Sequence, residues 1–170
     1  MARMKAEVLR EVLQRPHISV LSSIRRDGRP YLAPIWFLWE QTGPPAAEYP
    51  FYDQGVLWIT GTYTRTWCKH LLRDPRASLC IETRGDPVPG YANVDCIAEP
   101  VEQDIWPVSE ALARKYVGSR PGATEESVQR FVANMKTEPR LLFRLTPERW
   151  RCIDLTVYTG TRADVAYQEE

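Results

Sequence analysis

Apolar residues alternate with polar ones along much of the chain, which is the spacing of β-strands. Strands are predicted over residues 17–24, 30–40, 56–60, 77–82, 92–101, 141–145 and 150–157. Asp27-Gly28 joins the first two as a hairpin. Pro34, inside the second, predicts a bulge or an edge position, because proline donates no hydrogen bond to a neighbouring strand. Consecutive hairpins favour an antiparallel sheet, and closure into a barrel would remove its edges.

Helical spacing appears in four segments between or before these strands. Residues 1–14 form an amphipathic pattern that Pro16 ends, and a short helix is predicted over 65–72 with Thr64 as its N-cap. Two further helices are predicted after residue 104, the second capped by Thr124. These helices read as insertions and not as crossovers between parallel strands, so the predicted fold is mostly β with added helices.

Composition places the chain among ordinary globular proteins. Its 170 residues predict one domain over 1–157, followed by a polar C-terminal tail at 158–170. Lys plus Arg and Asp plus Glu each total 22, and this balance excludes the broad basic surface of a general nucleic-acid binder. No apolar run predicts a membrane span or a signal peptide. The four cysteines lack metal-site spacing and indicate reduced thiols in a cytoplasmic protein.

The sequence has only two histidines and no recognised catalytic motif. No GxSxG, HExxH, Walker or GxGxxG motif is present. His17 opens a strand after a proline, where a structural role is the simpler interpretation. His70 lies in the short basic helix and is equally compatible with a surface position and with a binding site. We therefore expect no metal site and no catalytic side chain of a known motif.

A strand, a turn and a helix at residues 56–73 carry the first candidate site. Thr60, Thr62 and Thr64 supply hydroxyls, and Arg65 and Lys69 are four residues apart at the start of the helix. A helix N-terminus with two cations can hold a phosphate. The alternative is a capped surface helix with solvated charges. Basic residues outnumber acidic ones five to two between residues 62 and 84, which favours the anion site.

The apolar segment at residues 34–39 is the second candidate. It reads PIWFLW, with a proline that interrupts regular pairing. One interpretation is a strand buried in a core or an interface. The other is a wall for a flat aromatic ligand, because apolar side chains beside one irregular backbone point make a pocket.

Several segments in this order resemble one known group of proteins. They are ISVLSSIRRDGRP at 18–30, PIWF at 34–37, VLWIT at 56–60, LLRDPRASL at 71–79 and LFRLTPER at 142–149. Over residues 6–155 the chain resembles the pyridoxamine 5'-phosphate oxidase-like split β-barrel superfamily. Its flavin/deazaflavin oxidoreductase branch is the nearest in pattern.

The resemblance implies an antiparallel split β-barrel that works as a homodimer, with FMN or the deazaflavin F420 in a groove between subunits. Pro34, Ile35 and Trp36 would lie near the cofactor ring. The phosphate would be held by residues of the turn and the short helix, namely Thr60, Thr62, Arg65, Thr66 and Lys69. In such proteins the cofactor carries the hydride chemistry and the protein orients it.

Several positions depart from the group's usual pattern, among them two in the short helix. Trp67 stands where a phosphate-binding Lys is common, and His70 stands where an Asn is common. Trp67 could therefore mean an altered cofactor, a stacking platform or a loss of binding. The loop at 41–55 is long and could cover the site.

The function expected from the resemblance is an FMN- or F420-dependent oxidoreductase that acts on a small organic substrate. FMN is favoured, because the basic patch is small for the acidic tail of F420. The alternative is a non-redox dimeric split barrel that binds haem, a flavin or another planar ligand. A haem-degrading activity, with His70 or His17 as the iron ligand, is a further alternative.

Overall fold

Alternating burial along each strand builds one antiparallel sheet in the computed structural model, which describes residues 3–45 and 52–158. The strands are β1 Ser19–Ile24, β2 Pro30–Ile35, β3 Leu38–Gln41, β4 Gly55–Thr62, β5 Arg76–Glu82, β6 Gly90–Val101 and β7 Arg140–Asp154. The helices are α1 Ala6–Gln14, α2 Thr66–Arg73, α3 Ile105–Val117 and α4 Glu125–Met135, with a 3₁₀ turn at Leu155–Tyr158. Residues 46–51 of the long loop and 159–170 of the predicted tail lie outside the described residues.

The order of the strands explains how the sheet curls into a barrel. It runs β2-β1-β5-β6-β7-β4-β3, so the two edge strands are consecutive in the chain. Only Trp36 and Phe37 separate β2 from β3, and the chain itself therefore bridges the gap between the two edges. All seven strands contribute to one buried cluster, through Leu21, Ile35, Trp39, Leu57, Ile81, Val94 and Phe143 among others. The predicted split β-barrel is confirmed.

The strand predicted over residues 30–40 is in fact two strands, and the break has a physical cause. The N–H of Phe37 donates to the Tyr116 hydroxyl at 3.1 Å, and its carbonyl accepts from Lys115 Nζ at 3.1 Å. Side chains of α3 thus replace the strand neighbour that this residue lacks. Pro34 lies on β2, an edge strand, as its missing donor predicts.

The two strands predicted after residue 140 form a single strand. β7 continues through Pro147 because its pairing with β6 shifts register between Asp95 and Cys96. Asp95 pairs with Arg149 and Cys96 with Pro147, which leaves one extra residue on β7. Such a bulge absorbs a proline without ending the ladder.

Strand β1 exposes apolar side chains on its outer face and buries two serines on its inner face. Ile18, just before the strand, and Val20 are 44% and 38% exposed, while Ser19, Leu21 and Ser23 point into the barrel. The buried serines are satisfied: Ser19 Oγ donates to the Ile35 carbonyl at 3.1 Å, and Ser23 Oγ is 3.0 Å from His70 Nδ1. The outer face at β1 therefore exposes Ile18 and Val20 to solvent.

Helices α3 and α4 form an insert between β6 and β7 with a small core of its own. Val117, Val128 and Val132 pack there, together with Trp36. Trp36 lies in the link between the edge strands β2 and β3, which we call the barrel split. The predicted cap of α4 is confirmed, since Thr124 Oγ1 accepts the Ser127 N–H at 3.2 Å and Ser127 Oγ accepts the Thr124 N–H at 3.0 Å. Among the described helices, none combines the length and apolar character needed to cross a membrane.

Candidate functional site

Two grooves adjoin at the barrel split. The first has a volume of about 280 Å³ and is lined by Ile18, Pro34, Ile35, Trp36, Thr60, Gly61, Arg65, Trp67, Phe131, Met135 and Arg140. The second, of about 410 Å³, is lined by Tyr31, Leu32, Ala33, Pro34, Thr64, Arg65, Thr66 and Trp67. Because Pro34, Arg65 and Trp67 line both, the two grooves form one continuous depression.

The structure brings most of the predicted site residues to this depression. Seven of them line it: Pro34, Ile35, Trp36, Thr60, Arg65, Thr66 and Trp67. Thr62 is buried beside it, and its hydroxyl is 2.8 Å from that of Thr64. Lys69 is exposed on α2 and lines neither groove. The two cations that are four apart in the sequence are therefore not equivalent in the fold.

The start of α2 differs from the prediction. Thr64 is not the N-cap, because its hydroxyl is engaged with that of Thr62. The helix begins one residue later, with Arg65 at the N-cap position and no side chain bonded to the first turn. The first backbone N–H groups of α2 thus have no side-chain acceptor among the described residues, while Thr64, Arg65 and Thr66 line the second groove beside them.

Trp67 forms part of the barrel core as well as the wall of both grooves. Its side chain is only 7% exposed and its ring centroid is 5.9 Å from that of Phe143. A Cβ built on Gly61 would come within 2.5 Å of Trp67 Cζ2, so a glycine is needed there for the indole to fit. The residue that replaces the common lysine is thus a packing residue, with little surface left for stacking.

Arg140 is a groove residue that the sequence did not reveal. It is the first residue of β7 and pairs with Thr62 at the end of β4. Its side chain is 17% exposed, and its Nη2 donates to Glu138 at 3.2 Å. Burial lowers the pKa of this guanidinium, and the nearby Arg65 lowers it further while Glu138 opposes the shift. The feature that could have identified Arg140 is the pairing of β4 with β7, which places it opposite Thr62.

The charged residues that line the depression are both cations. Arg65 and Arg140 both reach it, and no Asp or Glu is among the residues that line either groove. The Thr66 hydroxyl adds a further hydrogen-bond donor, whereas the Thr60 hydroxyl donates to the Leu141 carbonyl at 3.0 Å and the Thr64 hydroxyl is bonded to that of Thr62. The donor set therefore suits an anionic ligand such as a phosphate.

Trp36 forms the aromatic wall of the first groove. Its ring stacks on Tyr116, with ring centroids 4.7 Å apart, and Phe131 of α4 lies 5.5 Å away. Not every tryptophan of the apolar segment belongs to this wall, because Trp39 is buried in the barrel core against Trp150. The α3–α4 insert thus holds the Trp36 ring in place through its contacts with Tyr116 and Phe131.

Neither histidine lines the two grooves. His17 Nε2 is buried with no hydrogen-bond partner among the described residues, and burial together with Lys115 lowers its pKa. His70 is buried against Ser23 and meets Tyr31 edge-on at 5.2 Å. Burial also lowers the pKa of His70, as do Arg73 and Arg25. The His70 imidazole is therefore held in structural contacts.

Fold and site together define a split β-barrel with a cationic, aromatic-walled groove at its opening. The family model for pyridoxamine 5'-phosphate oxidase matches residues 6–154. The chain belongs to this family of flavin-binding split barrels. A search among curated proteins finds no match.

Solved structures share the fold at low sequence identity. An F420 reductase is 19% identical with a TM-score of 0.57, covering 82% of this chain and 93% of that one. A conserved hypothetical protein from Mycobacterium tuberculosis is 20% identical with a TM-score of 0.62, covering 92% and 86%. HutZ, the haem storage protein from Vibrio cholerae, is 18% identical with a TM-score of 0.58, covering 91% and 95%. These likenesses show the fold alone.

Proposed function

We propose that this protein is a flavin- or deazaflavin-dependent oxidoreductase that binds FMN, or alternatively F420, at the barrel split. The observation that carries the proposal is the continuity of an aromatic-walled groove with a groove of hydrogen-bond donors. FMN has two matching parts, a planar ring and a phosphate. When bound, the cofactor would supply hydride transfer to or from a small organic substrate.

The ring would lie along Pro34, Ile35 and Trp36. Pro34 has no N–H, lies on an edge strand and lines both grooves, so a ligand can approach this backbone closely. The side chain of Trp36 is held by its stack on Tyr116. A wall that is fixed before binding orients a ligand at a smaller cost in conformational entropy.

The phosphate would lie at the start of α2. Arg65 has no ion-pair partner among the described residues, so its guanidinium is available to an anion. Thr64 and Thr66 line the same groove, and the uncapped first turn of α2 adds backbone donors. Lys69, exposed on the helix, would contribute only a distant charge, and Thr62 would act by fixing the Thr64 hydroxyl.

The protein would work as a homodimer that covers the outer face of β1 and β2. Ile18, Val20 and Leu32 are 44%, 38% and 63% exposed and lie on this face beside the grooves. An apolar patch next to a ligand site is the usual sign of a covering partner. Leu32→Glu should shift the mass measured by light scattering from two chains to one, whereas Leu72→Glu on exposed α2 should not.

A non-redox module that holds a planar ligand is the second candidate. Burial of Trp67 favours it, because the site has one cation fewer than a lysine at this position would give. Haem fits the grooves less well, since the residues that line them include no histidine to bind iron.

Ligand titration separates these possibilities. FMN and riboflavin share the ring but differ by the phosphate, so FMN should bind at least about tenfold more tightly, as expected for a charge-assisted contact of about 1.5–3 kcal/mol. Flavin fluorescence measures both affinities, and F420 is titrated in the same way. Failure of both FMN and F420 to bind would refute the cofactor assignment, and a Soret shift with haemin would support the second candidate.

Turnover distinguishes an oxidoreductase from a binding module. Reduced FMN is mixed with the protein without oxygen, and its reoxidation by menadione is followed by absorbance. An enzyme should accelerate this step over free reduced FMN. Tight binding without acceleration by any acceptor tested would favour the non-redox module.

A further inference from the structure

The lining of the first groove includes residues that the proposed ring and phosphate positions do not use. The proposed ring lies along β2 and the proposed phosphate lies in the second groove, at Thr64 and Thr66. The lining of the first groove also includes Phe131 and Met135 of α4 and Arg140. These three residues line the first groove and not the second.

Arg140 has donors left over for a ligand. A guanidinium carries five N–H groups, and the described contacts use two of them: Nε to the Met135 carbonyl at 3.4 Å and Nη2 to Glu138 at 3.2 Å. The side chain is only 17% exposed, so water cannot fully solvate the charge that remains. Its neighbour Arg65 adds repulsion, which a bound anion would relieve.

We infer that Arg140, Phe131 and Met135 form a subsite for the second substrate of the proposed reaction, and that this substrate is a planar apolar molecule bearing a carboxylate. The inference rests on the proposed function for the role of the ligand as a substrate. The binding of such a molecule at Arg140 does not depend on that function and can be tested by itself.

The surroundings of Arg140 select this chemical class. Phe131 and Trp36, with centroids 5.5 Å apart, contact each other and form one continuous aromatic wall on which a flat molecule can pack. Met135 is an adaptable apolar contact. Because Glu138 already balances part of the Arg140 charge, a monoanionic carboxylate fits better than a dianionic phosphate. A guanidinium fork also matches the two oxygens of a carboxylate.

Two probes of the same shape test the charge. The affinities of 2-naphthoate and of the uncharged 2-naphthamide are measured by calorimetry, first for the protein alone and then with saturating FMN. We expect the carboxylate to bind about tenfold or more tightly than the amide, as a charge-assisted contact would give. Arg140→Gln should reduce this preference to less than about twofold, while Arg140→Lys, which keeps the charge but not the fork, should retain part of it.

Arg130→Gln is the matched control on the same insert. Arg130 is 75% exposed and pairs with Glu126 on the outer side of α4. Its variant should keep the full preference for the carboxylate. Circular dichroism and urea unfolding of each variant show whether the fold is retained, and the comparison is made among folded variants including Arg140→Lys.

Three outcomes would overturn the inference: equal affinity for the two probes, a preference that survives in Arg140→Gln, or competition between FMN and 2-naphthoate. The last would show that Arg140 serves the cofactor. If FMN and F420 do not bind at all, the proposed function fails, but the naphthoate preference of the protein alone still tests the subsite.

Discussion

Trp36 and Tyr116 stack with their rings only 1° from parallel and their centroids 4.7 Å apart. The Tyr116 hydroxyl also donates to the His17 carbonyl at 2.8 Å and accepts from the Phe37 N–H at 3.1 Å. One residue of the helical insert therefore supports both the aromatic wall of the groove and the backbone at the barrel split. Burial raises the pKa of this hydroxyl well above its ordinary value, so the group stays protonated and able to donate.

Removal of that hydroxyl should weaken the barrel at its split. Tyr116→Phe keeps the ring but leaves the Phe37 N–H and the His17 carbonyl without their partner. A buried group left unsatisfied costs about 1–3 kcal/mol, so urea unfolding should show a loss of that size. Tyr63→Phe, on an exposed ring, is the control and should change stability little. Equal stability of the two variants would contradict the role given to the hydroxyl.

Because the Trp67 ring packs directly against Gly61, substitutions at these two positions should have non-additive effects on the free energy of unfolding. Gly61→Ala places a Cβ within 2.5 Å of the Trp67 ring and 2.7 Å of Cys68 Sγ. Overpacking of this kind costs about 1–3 kcal/mol in the free energy of unfolding. In a Trp67→Leu background the loss should be smaller, since one of the two obstacles is gone. A double-mutant cycle with strictly additive effects would show that the two residues do not press on each other.

Lys115 should make stability rise with pH above neutrality. Burial lowers the pKa of its ammonium from 10.5 to about 7. Between these values the unfolded chain binds more protons than the folded one, so the free energy of unfolding increases with pH, by up to about 1.4 kcal/mol per pH unit. Below pH 7 both forms are protonated and this gain is absent.

Lys115→Met isolates that contribution. The variant loses the bonds from Nζ to the Leu13 and Phe37 carbonyls, a cost that should be nearly constant with pH. In urea unfolding at pH 7, 8 and 9, the free energy of unfolding of the wild type should therefore increase relative to that of the variant at each step. A difference that stays flat over this range would mean that Lys115 titrates normally in the folded protein.

Arg65 and Lys69 should differ in their effect on FMN binding. Arg65 lines both grooves, whereas Lys69 is exposed and lines neither. Loss of a charge-assisted contact costs about 1.5–3 kcal/mol, so Arg65→Ala should weaken FMN binding by about tenfold or more in a fluorescence titration. Lys69→Ala should weaken it only slightly and mainly at low salt. Equal losses in both variants would place the phosphate outside the groove.

Local features of the fold were predictable because they depend on neighbouring residues. The Asp27-Gly28 hairpin and the Thr124 cap both follow from side-chain chemistry within four positions, and the structure contains both. Thr64 shows the limit of this reasoning. Its hydroxyl had two possible partners, the first turn of α2 and Thr62, and only the path of the β4–α2 turn decided between them.

By itself the sequence determined most of the strands, the helical insert, and the two kinds of surface that the groove combines, an apolar segment at 34–39 and a turn with hydroxyls and a cation at 60–66. Periodicity and turn chemistry are local, and so they can be read in order along the chain. Only the tertiary structure decided that Arg140 faces Arg65, that Lys69 points elsewhere, and that Tyr116 holds Trp36. These relationships arise from strand register and helix packing, which join residues far apart in sequence and leave no mark in the spacing of either partner.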